Sequence, residues 1–505
     1  MSYAPALLTL NLIVVSVLLA SGLGIPAGAA LATLDRGLRR SHRVVQRCFV
    51  AAMVSSLALP LVLHAAAWEA TAGKFGWLPL SQITGRQFGW FSGLLASGWI
   101  HGLHGVPLVA LATWQGLRRV PPSLVDQFAV ESQGRSSFWG LQLPLAAPWI
   151  LLGCLGVALL AATEMTVVNL YAYATLADQF YVLFASTPDA VSISLLCLPP
   201  GVIAAVGCAI LLRSRLLNRK SMESISVTPP ESNSQRIGMS PALALAAITI
   251  VVVAVPLLGL VIKAGHQVQR TDSGISGTWS PLAFASAIAE VPTLFRSEFQ
   301  WSGAVAMTVG LTAIAIAWPL ARINHTRPRL AAATTIALII GFMIPGPVVG
   351  LMIVRVFQLP IAGLQDHYER TLVPTILALL FRALPIAYWI MRIGYLRMTN
   401  ELSQQSRIDG SWWNRITRID ARAFRREASI AAVAAGLIAA GDVPATLPVA
   451  PPEVVTVSTR LFSLLHSGAR YQEAALALVY SSGVAVIVNT FMTARLRTKK
   501  GQPQG

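Results

Sequence analysis

Residues 5–47 read PALLTLNLIVVSVLLASGLGIPAGAALATLDRGLRRSHRVVQR. The first 27 of these, 5–31, carry no charged side chain, and five arginines follow between Arg36 and Arg47. A helix of that length rises about 40 Å, enough to cross a hydrocarbon core of roughly 30 Å. Met1 to Ala6 contain no Lys or Arg, whereas a signal peptide needs a basic stretch before its apolar core. The segment is therefore expected to be an uncleaved membrane helix that ends in a basic cluster.

The rest of the chain repeats this pattern. Of its 505 residues 55% are hydrophobic and only 12% charged, against roughly 25% charged in a soluble domain, and the mean hydropathy is +0.63. The reading is an all-α, polytopic inner-membrane protein. Eleven spans are expected, near 5–31, 48–69, 91–113, 148–168, 190–212, 241–263, 299–321, 331–354, 372–391, 428–447 and 473–493.

A net charge of +17 raises the question of nucleic acid, and the placement of the charge answers it. Alternate loops between the spans hold 28 of the 38 Lys and Arg. Cytoplasmic loops collect basic residues, so the N-terminus is expected outside and the C-terminus inside, in the inner (plasma) membrane. The charge reports topology and implies no nucleic-acid partner. Cys48, Cys154, Cys197 and Cys208 lie in or beside spans without CxxC spacing, a pattern of small apolar residues rather than of a metal site or disulfide framework.

Residues 214–240, with Thr228-Pro229-Pro230-Glu231-Ser232-Asn233-Ser234 at their centre, lack apolar periodicity and read as a cytoplasmic linker. They divide a first transmembrane half, 1–213, from a second, 241–494, with a basic tail at 495–505. The halves resemble repeats of five and six spans. In the first, Gly134 in a long loop precedes Ala162-Thr163-Glu164 by 30 residues; in the second, Gly410 precedes Ala440-Gly441-Asp442 by 32. Thr175-Leu176-Ala177-Asp178 and Thr456-Val457-Ser458-Thr459 follow. Repeats that face each other across a pathway are a common transporter architecture. Matching them pairs the first span with the seventh and leaves 241–263 as an extra leading helix.

The long loop at 401–427 reads as a helix, a break at Gly410, then a basic helix with Trp412, Trp413, Ile416 and Ile419 at helical spacing. Such a face fits a partner or the membrane interface. Glu401-Leu402, then Arg407-Ile408-Asp409-Gly410-Ser411-Trp412-Trp413, resembles the cytoplasmic coupling loop of binding-protein-dependent ABC importer permeases. Gly134-Arg135-Ser136-Ser137-Phe138-Trp139 and Leu143-Pro144 resemble the same loop in the first half. Gly441-Asp442-Val443-Pro444-Ala445-Thr446-Leu447 and Thr459-Arg460-Leu461-Phe462 are similar to the fused, two-half permeases of the ferric-iron class, with thiamine permeases close by. The sequence departs from the family where its Glu-Ala-Ala would stand, with Gln404-Gln405-Ser406 and Phe128-Ala129-Val130, and where its second Leu-Pro would stand, with Ala421-Arg422. The resemblance implies that Gly134, Phe138, Trp139, Glu401, Asp409, Gly410, Trp412 and Trp413 meet separate ATPase subunits. It also implies a soluble binding protein that docks on the outer face. No GxxxxGK[ST] phosphate loop occurs, so the chain itself is expected to be no enzyme, with no cofactor of its own.

Glu164 and Asp442 stand at matching positions near span ends, where a carboxylate is costly unless it faces a wet cavity or a partner. They are the expected translocation-path residues. His101 and His104 share a helical face but are too few for a metal site; Arg382 lies within a span, and Glu290-Val291-Pro292 in an outer loop. Pro345 and Pro347, among Gly341, Gly346 and Gly350, mark a kinked or broken span. The expected function is the permease of an ATP-driven importer for a small solute, ferric iron first. An ion-coupled carrier titrating Glu164 or Asp442 and a membrane-embedded enzyme remain the alternatives.

Overall fold

The computed structural model describes residues 4–35, 40–73, 76–77, 91–132, 136–186, 239–271, 274–396, 420–468 and 471–500. Nearly all of them are helical. The first half holds α1 (Ala4–Asp35), α2 (Arg40–Ala58), α3 (Leu61–Ala72), α4 (Gly93–Leu117), α5 (Pro122–Glu131), α6 (Leu143–Thr163), α7 (Thr166–Leu170) and α8 (Leu176–Ser186). The second holds α9 (Ser240–Ala264), α10 (Pro281–Leu294), α11 (Arg296–Thr326), α12 (Pro328–Met343), α13 (Gly346–Phe357) and α14 (Leu364–Arg370). It ends with α15 (Val373–Leu396), α16 (Arg425–Gly441), α17 (Val457–Ser467) and α18 (Tyr471–Lys500).

Among the described residues, seven helices are long and apolar enough to cross a membrane: α1, α4, α6 with the turn before it, α9, α11, α15 and α18. Two further spans are broken, α2 with α3 bent by 104° and α12 with α13 by 99°. The chain is therefore a helical, membrane-spanning protein. Nine of the expected spans have a counterpart in these elements. The one near 428–447 is the 17-residue α16, only about 26 Å long, and 190–212 lies outside the described residues.

Both breaks have the same cause. Pro60 and Pro345 stand directly before α3 and α13 with extended ψ of 148° and 140°. Proline offers no N–H to the preceding turn and disfavours helical geometry in the residue before it. The break at Pro345 agrees with the sequence reading; the one at Pro60 is new. An antiparallel hairpin, His266–Thr271 with Gly274–Trp279, follows α9 and was not expected. Glu290 lies within helix α10 rather than in a loop.

The helices form two compact units that are interleaved along the chain. Residues 1–179, 227–296 and 460–505 make one, and 180–226 and 297–459 the other. In the first unit α4 is central, with His101, Gly102, Leu103, His104, Gly105 and Val106 all buried. Its glycines allow α1 and α6 to approach closely: a Cβ on Gly102 would stand 2.7 Å from Leu19, and one on Gly105 2.6 Å from Val157. Small residues of this kind drive helix contact in lipid, where apolar burial alone gives no preference. The extra helix α9 and the last helix α18 also pack in this unit, against α1, α2 and α3.

In the second unit α15 occupies the central place. Ala383, Ala387, Tyr388 and Met391 are fully buried against Val309, Ala313 and Ala317 of α11 and Ala431 and Ala435 of α16.

Candidate functional site

Each unit places basic side chains between a carbonyl at its broken span and an acid at the end of a later helix. In the second unit one side chain bridges them. Arg382, in the middle of α15, donates from Nη1 to the Phe342 carbonyl at 2.7 Å. That carbonyl lies in the last turn of α12, where the break leaves it without an intrahelical donor. The Nε of Arg382 lies 3.5 Å from Oδ2 of Asp442. Asp442 ends α16 with extended backbone, and its Oδ1 accepts from the Ala445 amide at 2.8 Å. The carboxylate thus orders the turn that follows.

In the first unit three imidazoles span the corresponding path. His64 of α3 places Nε2 2.9 Å from the Ser56 carbonyl in the last turn of α2. A carbonyl only accepts, so this nitrogen carries hydrogen. The His64 ring meets that of His104 edge-on, centroids 4.7 Å apart. One turn back on α4, His101 donates from Nδ1 to the Ser97 carbonyl at 2.7 Å and presents Nε2 to Oε2 of Glu164 at 3.4 Å. With Nδ1 committed as a donor, Nε2 can face a carboxylate favourably only if a proton lies between them.

Glu164 ends α6 as Asp442 ends α16. Its Oε1 accepts from the Thr166 amide at 2.7 Å and from the Thr166 hydroxyl, and its Oε2 from the Val167 amide at 3.0 Å. It caps α7, satisfying amides that a helix start leaves open.

The resemblance of the halves continues beyond the acids. Thr175 and Thr456 each stand just before an 11-residue helix, α8 and α17, and accept from the amide three residues on, at 3.4 and 3.3 Å. The first amide of each helix donates to a hydroxyl on a long helix, α1 or α11. Leu176 donates to Thr9 at 2.9 Å, and Val457 to Ser302 at 2.8 Å. Thr9 precedes Pro26 by 17 residues on α1, and Ser302 precedes Pro319 by the same 17 on α11.

Of the eight loop positions named from the sequence, Gly134, Glu401, Asp409, Gly410, Trp412 and Trp413 lie outside the described residues. Phe138 and Trp139 form part of a π-helical turn, Phe138–Gln142, that leads into α6. Their rings meet edge-on at 5.4 Å. Trp139 is 69% exposed, and Val130 at the end of α5 is 84% exposed. Phe128 of α5 lies against Gly140, where a Cβ would come within 2.7 Å of its ring. The described parts of the loop, α5 and the Phe138–Gln142 turn, thus pack together with Val130 and Trp139 turned outward.

Sequence reasoning named Glu164, Asp442, His101, His104 and Arg382 but did not connect them. A signal was present, since a basic residue in the central span precedes the acid by 63 residues in one half and 60 in the other. Asp420 was missed altogether. It is fully buried at the end of the second long loop, where it accepts from the Tyr395 hydroxyl at 2.9 Å and faces Arg322 Nε at 3.4 Å. Trp318 in turn donates to Tyr395 at 2.9 Å. This cluster fixes the point where the loop rejoins the helices. Among the described residues no group of three or more His, Cys, Asp or Glu is arranged to hold a metal ion. No protein-family model matches the chain, and no curated protein matches it.

Proposed function

We propose that the chain is the permease subunit of an ATP-driven ABC importer in the inner (plasma) membrane. It moves a small solute, ferric iron first among the candidates, handed over by an extracytoplasmic binding protein. ATP is hydrolysed by separate subunits on the cytoplasmic face, and this chain performs no covalent chemistry.

The observation that carries the reading is the exposed surface of α5 and the Phe138–Gln142 turn. A helix with Val130 outward, followed by Trp139 outward, offers a docking surface of the sort expected of a coupling loop, and it directly precedes α6, which ends in Glu164. Movement imposed on this surface has a continuous helical route to the acid. From there the basic side chains lead to the broken span, the element best suited to bend. The recurrence of this arrangement in both units supports alternating access between two related halves.

A second reading, an ion-coupled carrier with no ATPase, is favoured by the pairing of His101 with Glu164 and by the imidazoles of His104 and His64 beside it. Intramembrane ionisable groups of this kind mark proton relays in other carriers.

Affinity purification from native membranes separates the two. A nucleotide-binding subunit that accompanies the wild-type chain and is released by Trp139→Ala or Gly410→Pro supports the importer. A chain that purifies without such a subunit supports the carrier.

A further inference from the structure

The second unit contains an apolar crease that the transport reading does not use. It lies between α11 and α16 and has a volume of about 650 Å³, within the roughly 300–1,000 Å³ of small-molecule sites. Two helical stripes of identical spacing line it: Leu311, Ile314, Ala315 and Trp318 on α11, and Arg425, Ala428, Ser429 and Ala432 on α16. The helices touch closely at Gly310 and Gly436, where a Cβ would meet the Ala432 and Ala306 carbonyls at 2.4 and 2.5 Å. Beyond that contact the small side chains Ala315, Ala428 and Ser429 leave the space unfilled.

One end of the crease is cationic. Arg425 lines it, and its sequence neighbours Arg422 and Arg426 are exposed. The nearby acids do not cancel this charge. Asp420 is buried against Arg322 and Tyr395, and the Glu427 side chain lies beside Gly394 of α15. An apolar slot along two helices that closes in a cluster of arginines matches a molecule with a hydrocarbon tail and an anionic head.

We infer that this crease is a binding site for an anionic phospholipid. One acyl chain lies along Leu311, Ile314 and Ala428, and the phosphate rests at Arg425 within the field of Arg422 and Arg426. Basic pockets at the ends of membrane helices hold anionic headgroups in this way, and each arginine near the surface contributes about five-fold in affinity. The inference is independent of what the chain transports.

The test uses the full chain in nanodiscs of equal phosphatidylglycerol and phosphatidylcholine, released into native mass spectrometry. The wild type is expected to retain one phosphatidylglycerol in preference to phosphatidylcholine. Arg425→Gln lowers that preference about five-fold, and Arg422→Gln with Arg426→Gln lowers it further. Ala428→Leu with Ser429→Leu fills the crease, keeps every charge, and abolishes retention of either lipid. If the retained lipids match in number and class in the wild type and both kinds of variant, the inference fails. The crease is then covered by protein or wetted only by bulk lipid.

Discussion

Replacing Arg382 by Gln separates the two arrangements most sharply. Arg382 is 6% exposed, and the Asp442 side chain it faces is 11% exposed. The glutamine amide can still reach the Phe342 carbonyl, but the Asp442 carboxylate loses the charge of Arg382. Removing one partner of a buried ion pair costs about 3–5 kcal/mol, a large part of a total stability of about 5–15 kcal/mol. Asp442→Asn in the same background removes the carboxylate that Arg382 faced, so a double-mutant cycle is expected to show a coupling of about 2–3 kcal/mol. The matching change in the first unit, His101→Gln, is milder. Glu164 keeps its bonds from the Thr166 and Val167 amides, and the loss is about 1–2 kcal/mol, that of a hydrogen bond. Equilibrium unfolding in mixed micelles, followed by tryptophan emission, measures these three variants and Asp442→Asn alone. Equal losses for Arg382→Gln and His101→Gln, or no rescue by Asp442→Asn, would refute the reasoning.

Three further outcomes follow from particular contacts. Ala172 has φ of +51° at the end of α7, where the Tyr173 amide returns to the Val168 carbonyl at 2.8 Å. Ala172→Gly removes the left-handed strain and should raise stability by about 1 kcal/mol in the same unfolding assay. Thr9→Val and Ser302→Ala each orphan the first amide of a helix, and each should cost about 1–3 kcal/mol, with faster amide exchange at Leu176 or Val457. Asp178 is buried, which raises its carboxyl above the usual range, while the Asn169 amide at 2.8 Å pulls the other way. The folded chain therefore binds this proton more tightly than the unfolded chain, and its carboxylate weakens the fold as pH rises. Asp178→Asn should be more stable than the wild type at neutral pH, with the gap closing below about pH 4 in a series of thermal melts.

The membrane-spanning class was legible because it rests on summed properties, apolar runs and the grouping of charge, which local detail does not disturb. The matching positions of Glu164 and Asp442 were legible from spacing, and each stands at the end of a helix. The broken span at Pro60 was not, because a single proline among apolar residues also occurs within α1, α4 and α11. Those helices continue past their prolines, and which proline breaks a span depends on whether the freed carbonyl finds a donor. His64 and Arg382 supply one from another turn or another helix, information that no local window contains. The acids were recognised by position, whereas their partners lie 60 or more residues earlier and differ in kind, histidine in one half and arginine in the other. Asp420 was obscured by its setting in a loop rich in arginine, where an acid reads as a solvated ion-pair member.

The central proposal is ATP-driven import, and transport in reconstituted vesicles tests it most directly. The chain, with whatever subunits accompany it from native membranes, is placed in liposomes and supplied with binding protein and labelled ferric iron, then thiamine. Uptake of one solute that requires ATP on the cytoplasmic side, and that is lost in Trp139→Ala, is the predicted result. Uptake by the chain alone, without ATP and driven by a proton gradient, would contradict it.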